Sequence, residues 1–208
     1  SRGLGDVYKR QYMPSVVDIC NSALNLIGAS NILDLTEDSK SARICNQRYA
    51  FVRDATFRSH PWNCLLRRAT LAPDTETPAF DFSKQFSLPN DPYCLRVLQV
   101  QDQDLVYKIE GRKILVNSDE VKVLYVARVE DPNEYDQLLV ETIVARLASD
   151  IAYGLVNSAS LMVQLNTMYK AKLVEARFVD ANEGTPATLN NESSLTVAES
   201  NIFLASRL

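Results

Sequence analysis

The chain has 208 residues, 46% of them apolar and 23% charged, with a net charge of −4, an ordinary balance for a globular domain with a substantial core. No apolar run approaches the ~20 residues of a membrane-spanning helix, and the N-terminus lacks the apolar h-region of a secretory signal. Cys20, Cys45, Cys64 and Cys94 are widely spaced with no C-x-x-C pair, and His60 is the only histidine, so reduced core thiols are expected and a metal centre is not.

The first twelve residues stand apart. Asp6-Val7-Tyr8-Lys9-Arg10-Gln11 is what the transposon end used in sequencing-library preparation encodes when read in frame. Residues 1–12 are therefore expected to be an assembly artefact, with the natural frame opening at Met13; a genuine basic N-terminal arm is the alternative.

Residues 13–62 read as a helix pair. Pro14 and Ser15 open the first helix, with Asp18 placed as a capping-box mimic. Val16, Ile19, Cys20, Ala23, Leu24 and Ile27 recur at the helical period, and Gly28 ends the run. Thr36 is expected to cap the second helix, whose first turn then carries Glu37 and Asp38 and whose stripe is Ala42, Cys45, Tyr49, Val52 and Thr56. His60-Pro61-Trp62 stops it, with Trp62 as the anchor where helix gives way to strand.

Residues 63–130 change period. Strands are expected over 85–88, 93–100, 105–110, 113–116 and 121–129, with Arg67 and Arg68 on a strand directly after the second helix. Pro73 to Pro78 is a loop, Gly111-Arg112 a two-residue hairpin turn and Ser118-Asp119 a further turn. The stretch Phe86-Ser87-Leu88-Pro89-Asn90-Asp91 reads as a strand that breaks at a proline turn and restarts at Leu95-Arg96-Val97-Leu98.

Residues 131–183 form the second helix pair. Asp131-Pro132-Asn133-Glu134 predicts the start of a long helix, with Asp as cap, Pro at the first position and Glu at the third. Leu139, Ile143, Leu147, Ile151 and Leu155 are four residues apart, and Leu138, Val144, Ala148 and Ala152 widen the stripe, so more than one element must cover it. After Asn157-Ser158 a last helix runs to Asn182, with Leu161, Leu165, Met168, Tyr169, Leu173 and Ala176 inward. Short joints predict antiparallel neighbours. From 184 to 208 the composition turns to Thr, Pro, Asn and Ser, which predicts an extended tail. The apolar island Ile202-Phe203-Leu204 in that tail is expected to dock on a neighbouring subunit or partner; a frayed terminus is the alternative. The fold class expected is mainly α with inserted β (α+β): an antiparallel helical bundle with a small antiparallel sheet between its two helix pairs.

Motifs for chemistry are missing. There is no G-x-S-x-G elbow, P-loop or G-x-G-x-x-G, and a histidine-based triad would have to use His60 beside Pro61. Asp102 with Asp104 and Asp119 with Glu120 sit at turns, where solvated charge is expected. No catalytic residue, cofactor site or metal site is predicted. Charge is unevenly placed, however: from Lys40 to Ala72 the basic residues Lys40, Arg43, Arg48, Arg53, Arg58, Arg67 and Arg68 face Asp54 alone. The six arginines are the candidate contacts to DNA phosphates or an acidic partner; a solvated basic helix is the alternative, since Arg43, Arg48, Arg53 and Arg58 wind round the helix. Without interleaved aromatics, sequence readout is not expected.

Four features together resemble the head-to-tail adaptors of short-tailed phages, the tail tubular protein A family. They are Asn21-x-x-Leu24-x-x-Ile27-Gly28 in the opening helix; Arg58, Pro61 and Trp62 ahead of a strand; Leu88-Pro89-Asn90-Asp91 leading into Leu95-Arg96-Val97; and Arg146-Leu147-Ala148 with Tyr169 and Ala176 in the last two helices. The resemblance spans Met13 to Asn182. It implies a subunit of a twelve-fold homo-oligomeric ring at the head–tail junction of a virion, made in the host cytoplasm. Such a ring binds the portal protein, carries the tubular nozzle and tail fibres, and lets DNA pass through its channel, with no membrane involved. A neck or connector subunit of a long-tailed phage is the nearest alternative. From a different class, a small DNA-binding module would use the basic second helix, and an enzyme would need a pocket of convergent polar groups.

Overall fold

Helix α1 (Val16–Leu26) starts where a reciprocal pair of bonds allows it: Ser15 Oγ accepts from the Asp18 amide at 3.1 Å, and the Asp18 carboxylate accepts from the Ser15 amide at 3.0 Å. The computed structural model describes residues 14–102 and 104–183; the expected artefact at 1–12 and the tail island Ile202-Phe203-Leu204 lie outside them. Gly28, at φ +71°, turns the chain out of α1. Asn21 then clamps the returning loop, donating to the Ile32 carbonyl at 2.9 Å and accepting from the Ile32 amide at 2.8 Å.

Helix α2 (Lys40–Arg58) is capped by Ser39, which accepts from the Ala42 amide at 3.1 Å, and not by Thr36 as expected. The reason is local competition. Thr36 gives both its amide and its hydroxyl to Asp34 Oδ1, at 2.7 and 2.6 Å, and Glu37 takes the Leu33 amide at 3.0 Å, so both residues are committed to a turn before the helix begins. Ser39→Ala should therefore cost about 1 kcal/mol in urea denaturation, while Thr36→Ala should cost a few tenths at most. The reverse order would restore Thr36 as the cap.

A second displacement of the same kind occurs ahead of helix α3 (Gln137–Val156). Asp131 caps only a single 3₁₀ turn over Pro132–Glu134, and the α-helix takes its own cap from Asp136, which accepts from the amides of Leu138 at 2.9 Å and Leu139 at 3.2 Å. Asn157, in the left-handed conformation, ends α3, and Ser158 caps helix α4 (Ala159–Asn182).

Helix α3 is the hub and packs on α1, α2 and α4. Its Leu139, Ile143, Leu147 and Ile151 are fully buried, each stabilising by roughly 1.5–3 kcal/mol. Contacts of Arg48 with Asp150 and of Arg146 with Thr56 set α2 antiparallel to α3. Those of Ser149 with Met162 and of Glu141 with Lys172 do the same for α4. Cys20 and Cys45 are buried where α1 and α2 meet the hub, and all four cysteines are free thiols.

Among the described residues six strands fill the insertion: β1 (Leu66–Leu71), β2 (Lys84–Ser87), β3 (Cys94–Val100), β4 (Tyr107–Glu110), β5 (Lys113–Val116) and β6 (Val121–Ala127). They form two three-stranded antiparallel sheets, ordered β1-β6-β3 and β2-β5-β4, where a single sheet was expected. The chain changes sheet between β1 and β2, β2 and β3, β3 and β4, and β5 and β6, and the Leu88–Asp91 break makes the second of these crossings. The β4–β5 hairpin closes at Gly111, at φ +57°, and pairs Ile109 with Ile114 and Tyr107 with Val116. The fold is α+β, with the sheets joined to the bundle at one end of α2.

Candidate functional site

Where that end of α2 meets the two sheets, charged side chains are brought together in a joint that is mostly arginine. Its centre is the turn after β2. The Arg112 guanidinium donates to the carbonyls of Pro89 at 2.7 Å and Cys94 at 3.0 Å, reaches Asn90 Oδ1 at 3.2 Å, and stacks over the Tyr93 ring at 3.8 Å. Arg128 lies 4.4 Å from the centre of the same ring. Arg128 also binds Asp54 on α2 at 2.6 and 2.9 Å, and Asp54 in turn takes Arg53 at 2.8 and 2.9 Å. Arg58, near the end of α2, donates to the Leu95 carbonyl, and Arg96 returns a bond to the Arg58 carbonyl at 3.3 Å. The proline turn is thus wired to both sheets and to the bundle.

The six arginines singled out from the sequence divide accordingly. Arg53 is 8% exposed and lies beside the Tyr49 and Phe57 rings. Arg48 holds Asp150 of α3 through two bonds, at 2.5 and 2.9 Å. Arg67 donates to the carbonyls of Cys64 and Leu66, both at 3.0 Å, and to Glu134 at 2.9 Å. Arg43 pairs in solvent with Asp38, a contact worth little. Arg68 is exposed, and among the described residues no hydrogen bond or ion pair holds it. It shares a shallow open hollow on the β1-β6-β3 sheet with Thr70, Gln99, Gln101 and Lys122. The arginines therefore form no common surface: Arg48, Arg53, Arg58 and Arg67 tie elements together, and Arg68 is left on the open sheet face beside Lys122, which pairs with Glu120 at 3.5 Å.

A second buried polar cluster closes the bundle. His60 Nε2 lies 3.0 Å from Asp180 Oδ2, the other Asp180 oxygen accepts from the Asn63 amide at 2.9 Å, and Asn63 Nδ2 donates to the Asp180 carbonyl at 2.6 Å. Arg177 donates to the Ser59 carbonyl at 2.7 Å, so the last turns of α4 are bolted to the chain leaving α2. The Trp62 ring packs edge-on against His60, and its Nε1 donates to the Thr56 carbonyl at 3.1 Å. Nearby Cys64 has its thiol pushed up, chiefly by burial and against the pull of a hydrogen bond from the Asp136 backbone, with the Asp180 carboxylate adding to the rise; that is the opposite of the direction thiolate chemistry needs. Tyr49 and Tyr135 also meet in the core, where burial pushes Tyr49 up to about 12.

Among the described residues no group of three or more His, Cys, Asp or Glu side chains could hold a metal ion, and no helix is long and apolar enough to cross a membrane. Sequence reasoning missed Arg112, Arg128, Asp54 and Asp180. Arg112 read only as a turn residue, and nothing local signals that its side chain reaches back to Pro89 and Cys94. Set against protein-family models and curated proteins, the chain matches none.

Proposed function

We propose that this chain is a structural virion subunit of the head-to-tail adaptor kind, working in a homo-oligomeric ring beneath a portal. In that role it continues the DNA channel and carries a tubular nozzle and fibres. The observation that carries this reading is the coincidence between the residues of the resemblance and the joints of the fold. Asn21 clamps the α1–α2 loop, Arg58 and the Leu88–Asp91 turn fix the sheets to α2, Trp62 anchors the exit from the bundle, and Arg146 lies 5.5 Å from the Tyr169 ring, between α3 and α4. A subunit that transmits load between head and tail needs such rigid couplings more than it needs a pocket. The hollow lined by Arg68 and Lys122 and the one lined by Arg67 and Arg128 are both open to solvent.

DNA is passed and not held. With Arg48, Arg53, Arg58 and Arg67 committed to internal bonds, the exposed cations of the basic segment are few, and Arg68 on the open sheet face is the best place for a grazing phosphate contact. The isolated chain is expected to bind duplex DNA no more tightly than roughly 10⁻⁴ M at physiological salt, at the weak end of non-specific binding. Micromolar, steeply salt-dependent binding in fluorescence anisotropy would favour the DNA-binding module instead. Velocity sedimentation with portal rings of the same virus tests the reading directly. Co-migration with the portal supports the adaptor, and two independent boundaries across salt and pH remove its main support. The neck or connector of a long-tailed phage stands as the second reading, separated by which tail protein then binds the complex.

A further inference from the structure

Helix α4 is apolar on more sides than its neighbours cover. Its packed side holds Leu165, Ala176 and Asp180, yet Val163, Val174 and Phe178 on the outer side are 60%, 67% and 66% exposed. With Thr167, Lys170 and Ala171 they form one stripe at three- and four-residue spacing along the helix. An aromatic and two valines in line on an open helix face mark a docking site.

We infer that this stripe seats the chain's own segment Ile202-Phe203-Leu204. The inference is independent of the adaptor reading. Length is the first argument. Residues 184–201 separate α4 from the island, and a relaxed chain of that length spans about 25 Å. The stripe runs back from the end of α4 by about 8 Å at Phe178 to about 30 Å at Val163, so the island reaches it without being stretched. Covalent attachment supplies an effective concentration near the millimolar range, so a contact too weak to hold two separate molecules is still formed. Charge is the second argument. Lys170 stands mid-stripe, and among the described residues no ion pair takes it; Glu199, three residues ahead of Ile202, is the flank that suits it, and the island docks with Arg207, three residues after Leu204, directed away from it. A second copy of α4 fits less well. Antiparallel pairing that sets Val163 against Phe178 brings the two Lys170 side chains together across the axis.

The test places benzoylphenylalanine at position 203 of the full chain, followed by illumination and peptide mapping. Adducts within one chain on residues 163–178 are expected, and a Val174→Asp/Phe178→Asp variant should lower their yield at least tenfold. Both substitutions lie on exposed positions, so an unchanged circular dichroism spectrum will confirm that the fold persists. Adducts confined to other elements, adducts joining two chains, or a yield unmoved by the aspartates would each overturn the assignment.

Discussion

Asp180→Ala should destabilise the protein by about 2–4 kcal/mol, because it leaves two hydrogen-bonding groups at the closure of the bundle without a partner. Asp180 is 5% exposed and His60 8%, and neither can turn to water when the other is lost. The alanine strands His60 Nε2 and the Asn63 amide together, which Asp180 now satisfies from its two oxygens. It also leaves the end of α4 tied to the chain leaving α2 by Asn63 Nδ2 on the residue-180 backbone carbonyl and by Arg177 on the Ser59 carbonyl alone. Asp180→Asn keeps an acceptor for the Asn63 amide and should cost about 1 kcal/mol, a single net hydrogen bond. The single tryptophan, Trp62, touches His60 and reports this cluster, so urea denaturation followed by its fluorescence measures both variants. Equal losses for alanine and asparagine would mean that packing, not hydrogen bonding, holds the closure.

Arg112→Ala is expected to cost about 3 kcal/mol, a fall of roughly 6–12 °C in Tm for a protein of this size. One guanidinium satisfies the carbonyls of Pro89 and Cys94 and the Asn90 side chain while lying on Tyr93, and no neighbour can reproduce its forked geometry. Arg112→Lys should recover less than half of the loss, because an ammonium cannot span acceptors on both sides of the turn. Amide hydrogen exchange should locate the damage: residues 88–98 and 110–116 open first, while α3 keeps its protection. Uniform loss of protection over the whole chain would show that the sheets and bundle unfold as one and that the joint is no separate coupling.

The helix pairs and strand positions were legible because they rest on periodicity and on caps whose partners lie within a few residues. Ser15 with Asp18 and Ser158 before α4 are such cases. Caps failed where two candidates stood close together. Thr36 was drawn into a turn by Asp34, and Asp131 spent itself on one 3₁₀ turn while Asp136 took the helix. The split into two sheets was hidden for a related reason. The proline break announces that a strand ends, but the partner of the next strand is decided by packing against β6, far along the chain.

The arginines carry the same lesson at the level of the site. Their clustering in sequence suggested a shared basic surface, but helical geometry sent Arg48 toward α3, Arg53 into the core and Arg58 to β3. A count of charges along a helix contains no information about acceptors such as the Leu95 carbonyl or Asp150, which arrive from distant segments. Arg112, which centres the joint, and Asp180, which closes the bundle, are single polar side chains in otherwise ordinary stretches, and only tertiary contact distinguishes them.

The proposed role requires a ring-forming subunit that seats on a portal. Electron microscopy of the chain, from Met13 onward, mixed with portal rings of the same virus tests that claim most directly. A second ring stacked coaxially on one face of the portal, continuing its channel, with the sheets turned away from the portal, is the expected result. Portal particles that stay bare across a range of salt and pH, beside unassembled protein, would contradict it.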